Sequence, residues 1–266
     1  MTQIDKSRFE WIGSDSARRE GISRPSTTFW KDAIGRLMKN KVAVVCFFII
    51  VLLILSCIVV PFFSPFESRE QHLGEVNKGF MTVCTDSRYE GQHHVHYFGT
   101  DNLGRDLFLR AFEGGRVSLM IAFAAVFVNL IVGLIYGGIS GYIGGAVDTI
   151  MMRIVEIVNG IPYLIVVILL MMVLPKGIFT MVVAYGITGW TGMARLVRGQ
   201  VLQLKSQEYI VAAEAMGAKS SRIIAKHLIP NALSVIIINV TLAIPSAIFT
   251  EAFLSYIGLG VPVPQP

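Results

Sequence analysis

The sequence predicts an all-α polytopic membrane protein, and three observations lead to that fold class. Of the 266 residues, 53% are hydrophobic and only 15% are charged, whereas a soluble domain carries about 25% charged residues. The apolar residues gather into long runs. The basic residues cluster between those runs, as they do on the cytoplasmic side of membrane proteins. The net charge of +5 therefore indicates surfaces next to membrane lipid, and no nucleic-acid partner is predicted.

The chain is predicted to begin with a cytoplasmic tail at residues 1–41, which carry nine Lys/Arg and five Asp/Glu. The apolar run at 42–60 is long enough for a first transmembrane helix, and Pro61 and Pro65 end it. Residues 61–116 carry six Lys/Arg and eight Asp/Glu. Because this loop lacks a basic excess, it is predicted to lie outside the cytoplasm.

Four further apolar segments predict the rest of a helical bundle. They cover about residues 117–139, 146–173, 178–196 and 232–257. Gly133, Gly137 and Gly138 in the second span would let another helix approach closely. In the third span, Arg153 and Glu156 are three residues apart and share a helix face. These two residues are expected either to form a structural ion pair or to take part in gating.

A polar loop at 197–231 separates the fourth and fifth spans. Together with Arg195 it holds six Lys/Arg against two acidic residues, Glu208 and Glu214. This basic excess places the loop in the cytoplasm. The N-terminal tail lies on the same side, because the four spans between them are an even number.

The loop predicts two short helices joined at Gly217, a residue that suits the left-handed position after a helix end. Ser220 is the expected N-cap of the second helix, and Pro230 is expected to close it. The apolar side of the first helix is predicted to comprise Tyr209, Ala212, Ala213 and Met216. That of the second comprises Ile223, Ile224, His227 and Leu228. Two short helices of this kind can bind in a groove on another protein. Alternatively, they can lie on the bilayer surface as an amphipathic hairpin.

The loop resembles the "EAA" loop of ABC-importer permeases. That pattern reads Glu-Ala-Ala, three residues, Gly, nine residues and Ile-x-Leu-Pro, and the matching residues are Ala212, Ala213, Gly217 and Pro230. Val211 stands where the pattern has Glu, and His227 and Ile229 replace its Ile and Leu.

Two further stretches resemble the C-type subunit of dipeptide and oligopeptide permeases. Its FGTD-x-x-GRD…GARVSL run is matched by Phe98-Gly99-Thr100-Asp101, Gly104-Arg105-Asp106 and Gly115-Arg116-Val117-Ser118-Leu119. Its EAxLSFLGLG segment is matched from Glu251 to Gly260. The resemblance covers residues 30–266 and implies a type I ABC importer permease of the MetI-like fold, with a permease core at 117–266. Five of six expected spans are seen, and the sixth is expected after Pro266.

The resemblance implies a permease subunit for ATP-driven, binding-protein-dependent peptide uptake in a bacterial plasma membrane, with nickel as an alternative cargo. The implied partners are a second, similar permease, two ATPase subunits and an extracellular peptide-binding protein. ATP and Mg would be bound by the ATPase subunits, and no cofactor by this chain. Residues 217–220 also lack the Gly-Lys of a P-loop, and no arrangement of side chains indicates an enzyme.

Contact with the ATPase is expected at Tyr209, Ala212, Ala213, Glu214, Met216, Gly217, Ala218, Arg222 and Pro230. Asn239 and Glu251 are the candidates for lining the translocation path, although Glu251 could equally bond a partner helix. An ion-coupled carrier is the alternative class, but the inverted repeats and midplane charges typical of one are not seen. A purely structural scaffold stays open.

The outer loop carries two further sets of polar residues. Asp101, Arg105 and Asp106 are expected to form local ion pairs and turn bonds. His93, His94 and His96 raise the alternative of a metal site, but no metal is expected. The three cysteines, Cys46, Cys57 and Cys84, form no spaced set, so neither a disulfide framework nor a zinc site is predicted.

Overall fold

The computed structural model describes residues 29–64, 66–85 and 95–260. The chain divides into two compact units, residues 1–53 and 54–266. In the first unit, α1 (Phe29–Lys39) carries an ion pair one turn apart, between Arg36 Nε and Asp32 Oδ2 at 2.8 Å. The next helix, α2 (Lys41–Phe63), begins in this unit. Most of the predicted cytoplasmic tail lies outside the described residues.

The second unit is a helical bundle, and the described residues before α3 include two short antiparallel strands. The strands are β1 (Thr82–Val83) and β2 (Val95–His96). The helices are α3 (Leu107–Ile143), α4 (Gly145–Asn159), α5 (Tyr163–Val173), α6 (Ile178–Thr188), α7 (Trp190–Lys205), α8 (Glu208–Ala215), α9 (Ser220–Ile223) and α10 (Ile229–Tyr256). A π-helical turn, Ile224–Leu228, joins α9 to α10.

Three helices among the described residues are long and apolar enough to cross a membrane. They are α2, α3 and the continuous helix Ser220–Tyr256, which comprises α9, the π turn and α10. Helices α4 and α5 are a fourth candidate if they are counted as one span bent by 76°. Length and composition alone decide this count, so the membrane boundaries predicted above stay predictions.

The helices differ from the predicted segments at four places. Pro61 does not end the first helix, because α2 includes it and continues to Phe63. The helix of the second segment begins at Leu107 rather than at 117, because Asp106 caps it by accepting a hydrogen bond from the Leu109 N–H at 2.7 Å. The third segment is not one helix, since α4 ends at Gly160 and Pro162 lacks the N–H needed to continue it. The fourth segment breaks at Gly189, and its second half continues as α7 to Lys205.

Helix α3 packs closely against α7 along its glycines. A Cβ atom at Gly133 would lie 2.5 Å from the Cβ of Met193, and one at Gly137 would lie 2.3 Å from the carbonyl oxygen of Ala194. The predicted close helix approach at these positions is confirmed. Gly138, which was also predicted, instead faces Ile224, whose Cγ2 would lie 3.3 Å from an added Cβ.

We expect Gly137→Val to destabilise the bundle strongly, because the obstructing atom is backbone and cannot rotate away. The two helices would have to separate, and overpacking of this kind typically costs about 1–3 kcal/mol or more. The measurement is the thermal midpoint of the detergent-purified protein. Gly199→Val is the matched control, since a Cβ there meets nothing within 4 Å. Equal losses in both variants would contradict the packing argument.

Helix α10 contributes to two separate apolar clusters along its length. Near its start, Ala232 and Ile236 join Val197 and Val201 of α7. Near its end, Leu254 joins a second cluster with Ile121, Val167, Met181 and Ala184. One helix therefore connects the cluster beside the polar loop to the cluster beside the start of α3.

Candidate functional site

One side of α8 is buried against the bundle. Ile210 is fully buried and Ala213 is 6% exposed, and these two residues are three apart, on the same face of the helix. Ile210 shares its apolar cluster with Val197 and Val201 of α7. The helix is thus held to the bundle by apolar packing.

The other side of α8 is exposed and largely apolar. Tyr209 is 42% exposed, Val211 55% and Met216, the C-cap residue, 81%, and Ala212 is exposed beside them. These four residues are referred to below as the α8 surface. The predicted apolar side is therefore wrong for Ala213, because consecutive residues are about 100° apart around a helix and Ala213 turns inward.

Gly217 adopts the left-handed conformation that its position predicts, with φ of 79°. Its N–H donates to the carbonyl of Glu214 at 2.9 Å, and the N–H of Ala218 donates to the carbonyl of Ala213 at 3.1 Å. These two bonds form a Schellman motif that ends α8 and reverses the chain. A Cβ added at Gly217 would meet nothing within 4 Å, so the requirement for glycine lies in the backbone conformation.

The second helix of the loop starts differently from the prediction. Lys219 occupies the N-cap position with ψ of 144°, and no side chain caps the helix there, whereas Ser220 is already helical. The predicted apolar stripe is present, since Ile223 and Leu228 are fully buried.

Pro230 does not close this helix, contrary to expectation. The helix passes it through the π turn, in which the Ile229 N–H donates to the carbonyl of Ile224, five residues earlier. The wider turn accommodates a residue that cannot donate a backbone hydrogen bond. The Asn231 side chain donates to the carbonyl of His227 at 2.6 Å. The second helix of the loop and the last helix of the chain consequently form one continuous helix, Ser220–Tyr256.

Polar contacts also tie the loop to the end of α3. The Tyr142 hydroxyl donates to Glu214 Oε1 at 3.0 Å. The Lys205 ammonium, in the last turn of α7, donates to the carbonyl of Tyr142 and lies 5.2 Å from the centre of its ring. Glu214 therefore faces its own chain, while the α8 surface beside it stays open.

A second polar network joins α3, α4 and α7. Arg198 donates to both carboxylate oxygens of Asp148, each at 2.5 Å, and the Ser140 hydroxyl donates to Asp148 at 2.5 Å. The side chains of Arg198 and Asp148 are 33% and 13% exposed. Bidentate pairing of this kind fixes orientation as well as charge.

The two residues expected along the path both have partners within the chain. Glu251 is 5% exposed and accepts hydrogen bonds from the Ser118 hydroxyl of α3 at 2.5 Å and the Ser255 hydroxyl at 2.7 Å. Asn239 donates to the carbonyl of Val235 at 3.1 Å, one turn earlier in its own helix. Glu251 thus links α10 to α3, and the role of either residue in a path stays a prediction.

The segment before α3 is held by Asp101 and Arg105. Asp101 Oδ1 accepts hydrogen bonds from the backbone N–H groups of Leu103 and Arg105 at 2.8 and 2.9 Å. Arg105 Nε and Nη2 each lie 2.8 Å from Asp101 Oδ2. The expected local pairing is confirmed. Burial favours a higher pKa for Asp101, but these hydrogen bonds and the Arg105 charge outweigh it and lower the pKa.

His96 is fully buried between two carboxylates. Its Nδ1 lies 2.7 Å from Asp106 Oδ2 and its Nε2 lies 3.1 Å from Glu75 Oε2. Burial alone lowers the pKa of His96, but hydrogen bonds to Asp106 and Glu75 outweigh it, so the pKa is raised. His93 and His94, which were considered with His96 as a metal cluster, lie outside the described residues.

Comparison with known families accounts for most of the chain. Residues 129–266, which hold α4 to α10 and the whole loop, match the family described as "Binding-protein-dependent transport system inner membrane component". Residues 28–79 match the "N-terminal TM domain of oligopeptide transport permease C".

The chain belongs to this inner-membrane transport family.

Three relatives cover nearly the full permease. The oligopeptide transport system permease protein OppC of Bacillus subtilis (strain 168) is 48% identical over 264 residues, 99% of this chain and 83% of its own length. The dipeptide permease DppC of the same organism is 46% identical over 92% of this chain and 73% of its own. OppC of Escherichia coli (strain K12) is 42% identical over 98% and 82%.

A solved structure titled "Inward facing conformations of the MetNI methionine ABC transporter" matches 55% of this permease and 73% of its own chain. It is 22% identical, with a TM-score of 0.49. Membership in the family makes the permease a multi-pass membrane component of a transport system and not an enzyme.

Sequence reasoning missed the Asp148–Arg198 pair. A lone carboxylate inside an apolar segment was the available signal, since such residues are costly in a membrane and pair with a partner. The permease does contain the expected Arg153–Glu156 pair, with Arg153 Nη1 2.6 Å from Glu156 Oε2. Its side chains are 73% and 58% exposed, and its role in gating stays a prediction.

We expect Asp148→Asn to lower the stability of the permease more than Glu156→Gln does. Exposed pairs contribute about 0–1 kcal/mol, while breaking a buried pair costs about 3–5 kcal/mol. A partly buried bidentate pair lies between these limits. Thermal midpoints in detergent provide the measurement, and Glu156→Gln is the matched control. Indistinguishable midpoints would show that the Asp148 network contributes no more than a surface pair.

Proposed function

We propose that this permease takes up oligopeptides or dipeptides in an ATP-driven importer, as half of the translocation path. A second, similar permease forms the other half, two ATPase subunits supply energy, and an extracellular binding protein delivers the peptide. The relatives named as oligopeptide and dipeptide permeases support this substrate class. ATP and Mg are bound by the ATPase subunits.

The α8 surface is where the ATPase binds. It is exposed and largely apolar, although its helix is anchored from behind by Ile210 and Ala213. The two alanines of the loop motif therefore have different tasks. Ala213 lets α8 lie close to the bundle, and Ala212 lets a partner surface lie close to α8. A helix presenting such a face suits a groove on another protein.

The single observation that carries the proposal is the continuous helix Ser220–Tyr256. At about 1.5 Å per residue its 37 residues extend about 55 Å, from the loop past both apolar clusters and Glu251 to Tyr256. A displacement of the loop by the ATPase would therefore move the end of α10 and its bond to Ser118. Small shifts of packed helices are one of the ways in which proteins transmit motion.

The orientation follows from charge. The loop at 197–231 and the N-terminal tail face the cytoplasm because both carry a basic excess, and residues 61–116 face outward, toward the binding protein.

The test is peptide uptake by proteoliposomes that contain the purified complex with its ATPase subunits. We expect accumulation of a labelled oligopeptide or dipeptide that requires both ATP and the binding protein. The ATPase should also co-purify with the permease from detergent extracts. Uptake that persists without ATP and collapses with an ionophore would identify an ion-coupled carrier instead. Uptake of Ni²⁺ without uptake of any peptide would show that nickel is the transported substrate.

A further inference from the structure

Three potential metal ligands converge in the segment before α3. His72, Glu75 and Cys84 are 2%, 2% and 8% exposed. Each offers one ligand atom, and these atoms all lie within 4.8 Å of one another. Cys84 looks solitary in the sequence because the nearest other cysteine is Cys57. The fold brings together an imidazole, a carboxylate and a thiol, which is a mixed ligand set and not a cluster of acidic groups.

Backbone contacts hold these residues in place. The N–H of His72 donates to the carbonyl of Gly104 at 3.2 Å, and the N–H of Glu75 donates to that of His72 at 2.7 Å. Gly104 has φ of 73°, and a Cβ there would lie 2.1 Å from the carbonyl oxygen of His72. The antiparallel pairing of Thr82 with His96 places β1 beside β2, and Cys84 follows β1 directly.

The carboxylate of Glu75 is the centre of the cluster. Its Oε1 accepts hydrogen bonds from the N–H and hydroxyl of Thr85, which fixes its orientation. Its Oε2 lies 3.3 Å from Cys84 Sγ and 3.1 Å from His96 Nε2. Ligands of a tetrahedral zinc ion are about 3.3–3.6 Å apart, given Zn–N and Zn–S bonds of about 2.0 and 2.3 Å. The two separations from Glu75 Oε2 are close to that value, and the ligand atom of His72 lies within 4.8 Å of those of Glu75 and Cys84.

Asp106 fixes the orientation of the His96 imidazole. An ionised carboxylate can only accept hydrogen bonds, so the contact with Asp106 Oδ2 places a proton on Nδ1. Nε2 faces Glu75 Oε2 at 3.1 Å, where a protonated imidazole donates a hydrogen bond and a neutral imidazole can share a cation with the carboxylate. Two acceptors this close repel each other unless a proton or a cation lies between them. A carboxylate behind the far nitrogen of a histidine is the usual arrangement around protein-bound zinc.

We propose that His72, Glu75, Cys84 and His96 bind one divalent transition-metal ion of the zinc type. Imidazole, thiolate and carboxylate together suit such a borderline ion better than Mg²⁺ or Ca²⁺, which prefer oxygen ligands alone. On binding, the Cys84 thiol releases its proton to solvent. The thiolate and the Glu75 carboxylate then carry two negative charges that the ion balances, as burial requires.

The bound ion stabilises the start of α3. It joins the turn at His72 to the paired strands β1 and β2, and through His96 to Asp106, the residue that caps α3. The ion is structural, because its ligands are buried within one chain and outside the predicted spans. It is not a transported substrate.

The experiment uses Co²⁺ as a spectroscopic probe of the full-length permease, purified in detergent and treated with a chelator. We expect a single Co²⁺ per chain, a thiolate-to-cobalt charge-transfer band in the near ultraviolet, and displacement of that band by Zn²⁺. Cys84→Ser should abolish the band while keeping a hydroxyl that can donate to Glu75, so the variant should still fold. Cys46→Ser, which changes an exposed thiol of α2, should leave the band unchanged.

The variant Asp106→Asn tests whether the side chain behind His96 supports Co²⁺ binding, as it should at a specific metal site. The asparagine still offers a carbonyl oxygen to cap α3, but it no longer fixes the tautomer of His96. We expect the affinity for Co²⁺ to fall about 10–100-fold, as it does when the outer partner of a metal ligand is lost. The proposal is overturned if the chelator-treated protein shows no charge-transfer band with micromolar Co²⁺, or if Cys84→Ser keeps the band. In the first case, a proton alone satisfies His96 and Glu75.

Discussion

Peptide uptake should fall to background when Ala212 is replaced by arginine. Ala212 is exposed on α8, so the isolated permease accommodates the longer side chain and inserts into the membrane normally. In the assembled importer the guanidinium would be pressed into an apolar contact. The long side chain would hold the ATPase away from the apolar residues of the α8 surface, and each loss of about 1.4 kcal/mol of interaction corresponds to a tenfold change in affinity.

The measurement is the amount of ATPase that co-purifies with the permease, together with uptake in proteoliposomes. We expect ATPase binding about 30-fold weaker or worse for Ala212→Arg and near normal for Ala212→Ser, which keeps a small side chain. Ala225→Arg is the positional control, because Ala225 is an exposed alanine on the neighbouring π turn. A full complement of ATPase on the Ala212→Arg permease would rule out the α8 surface as its binding site.

Periodicity was enough to predict those parts of the loop that depend on local conformation. Gly217 follows an alanine-rich helix and adopts the left-handed conformation expected there. Ile223 and Leu228 are five apart and both are buried. Pro230 was misjudged, because a proline ends a regular α-helix but not one that widens into a π turn just before it. Hydrogen bonds to the fifth residue leave no pattern in the sequence.

Contacts between residues that are far apart in the sequence could not be predicted, because no local pattern marks the two partners. Asp148 and Arg198 lie 50 positions apart, and nothing local indicates that one faces the other. Cys84 looked isolated because no second cysteine lies near it in the sequence, although its thiol lies 3.3 Å from Glu75 Oε2. Hydropathy also placed the second span too late, since the polar first turns of α3 are helical through their cap at Asp106.

Replacing Gly217 with valine should uncouple ATP hydrolysis from peptide uptake. Gly217 has φ of 79°, which costs an ordinary residue about 1–2 kcal/mol and suits a β-branched one least. Valine would break the Schellman motif that sets the angle between α8 and the continuous helix Ser220–Tyr256. The ATPase could still bind the α8 surface, but its movement would no longer reach α10. We expect peptide transported per ATP hydrolysed to fall on the order of tenfold, with membrane insertion unchanged.

The matched control is Gly217→Asn, because asparagine adopts the left-handed conformation more readily than other non-glycine residues. A Cβ at this position meets nothing within 4 Å, so neither valine nor asparagine would clash with the rest of the chain. The two variants therefore differ in how readily their backbone adopts the left-handed conformation. Coupling should therefore follow the order Gly, Asn, Ala, Val, with asparagine close to the native protein. If asparagine fails as badly as valine, the position acts by touching a partner. If valine transports normally, the loop conformation is not what carries the ATPase movement into the bundle.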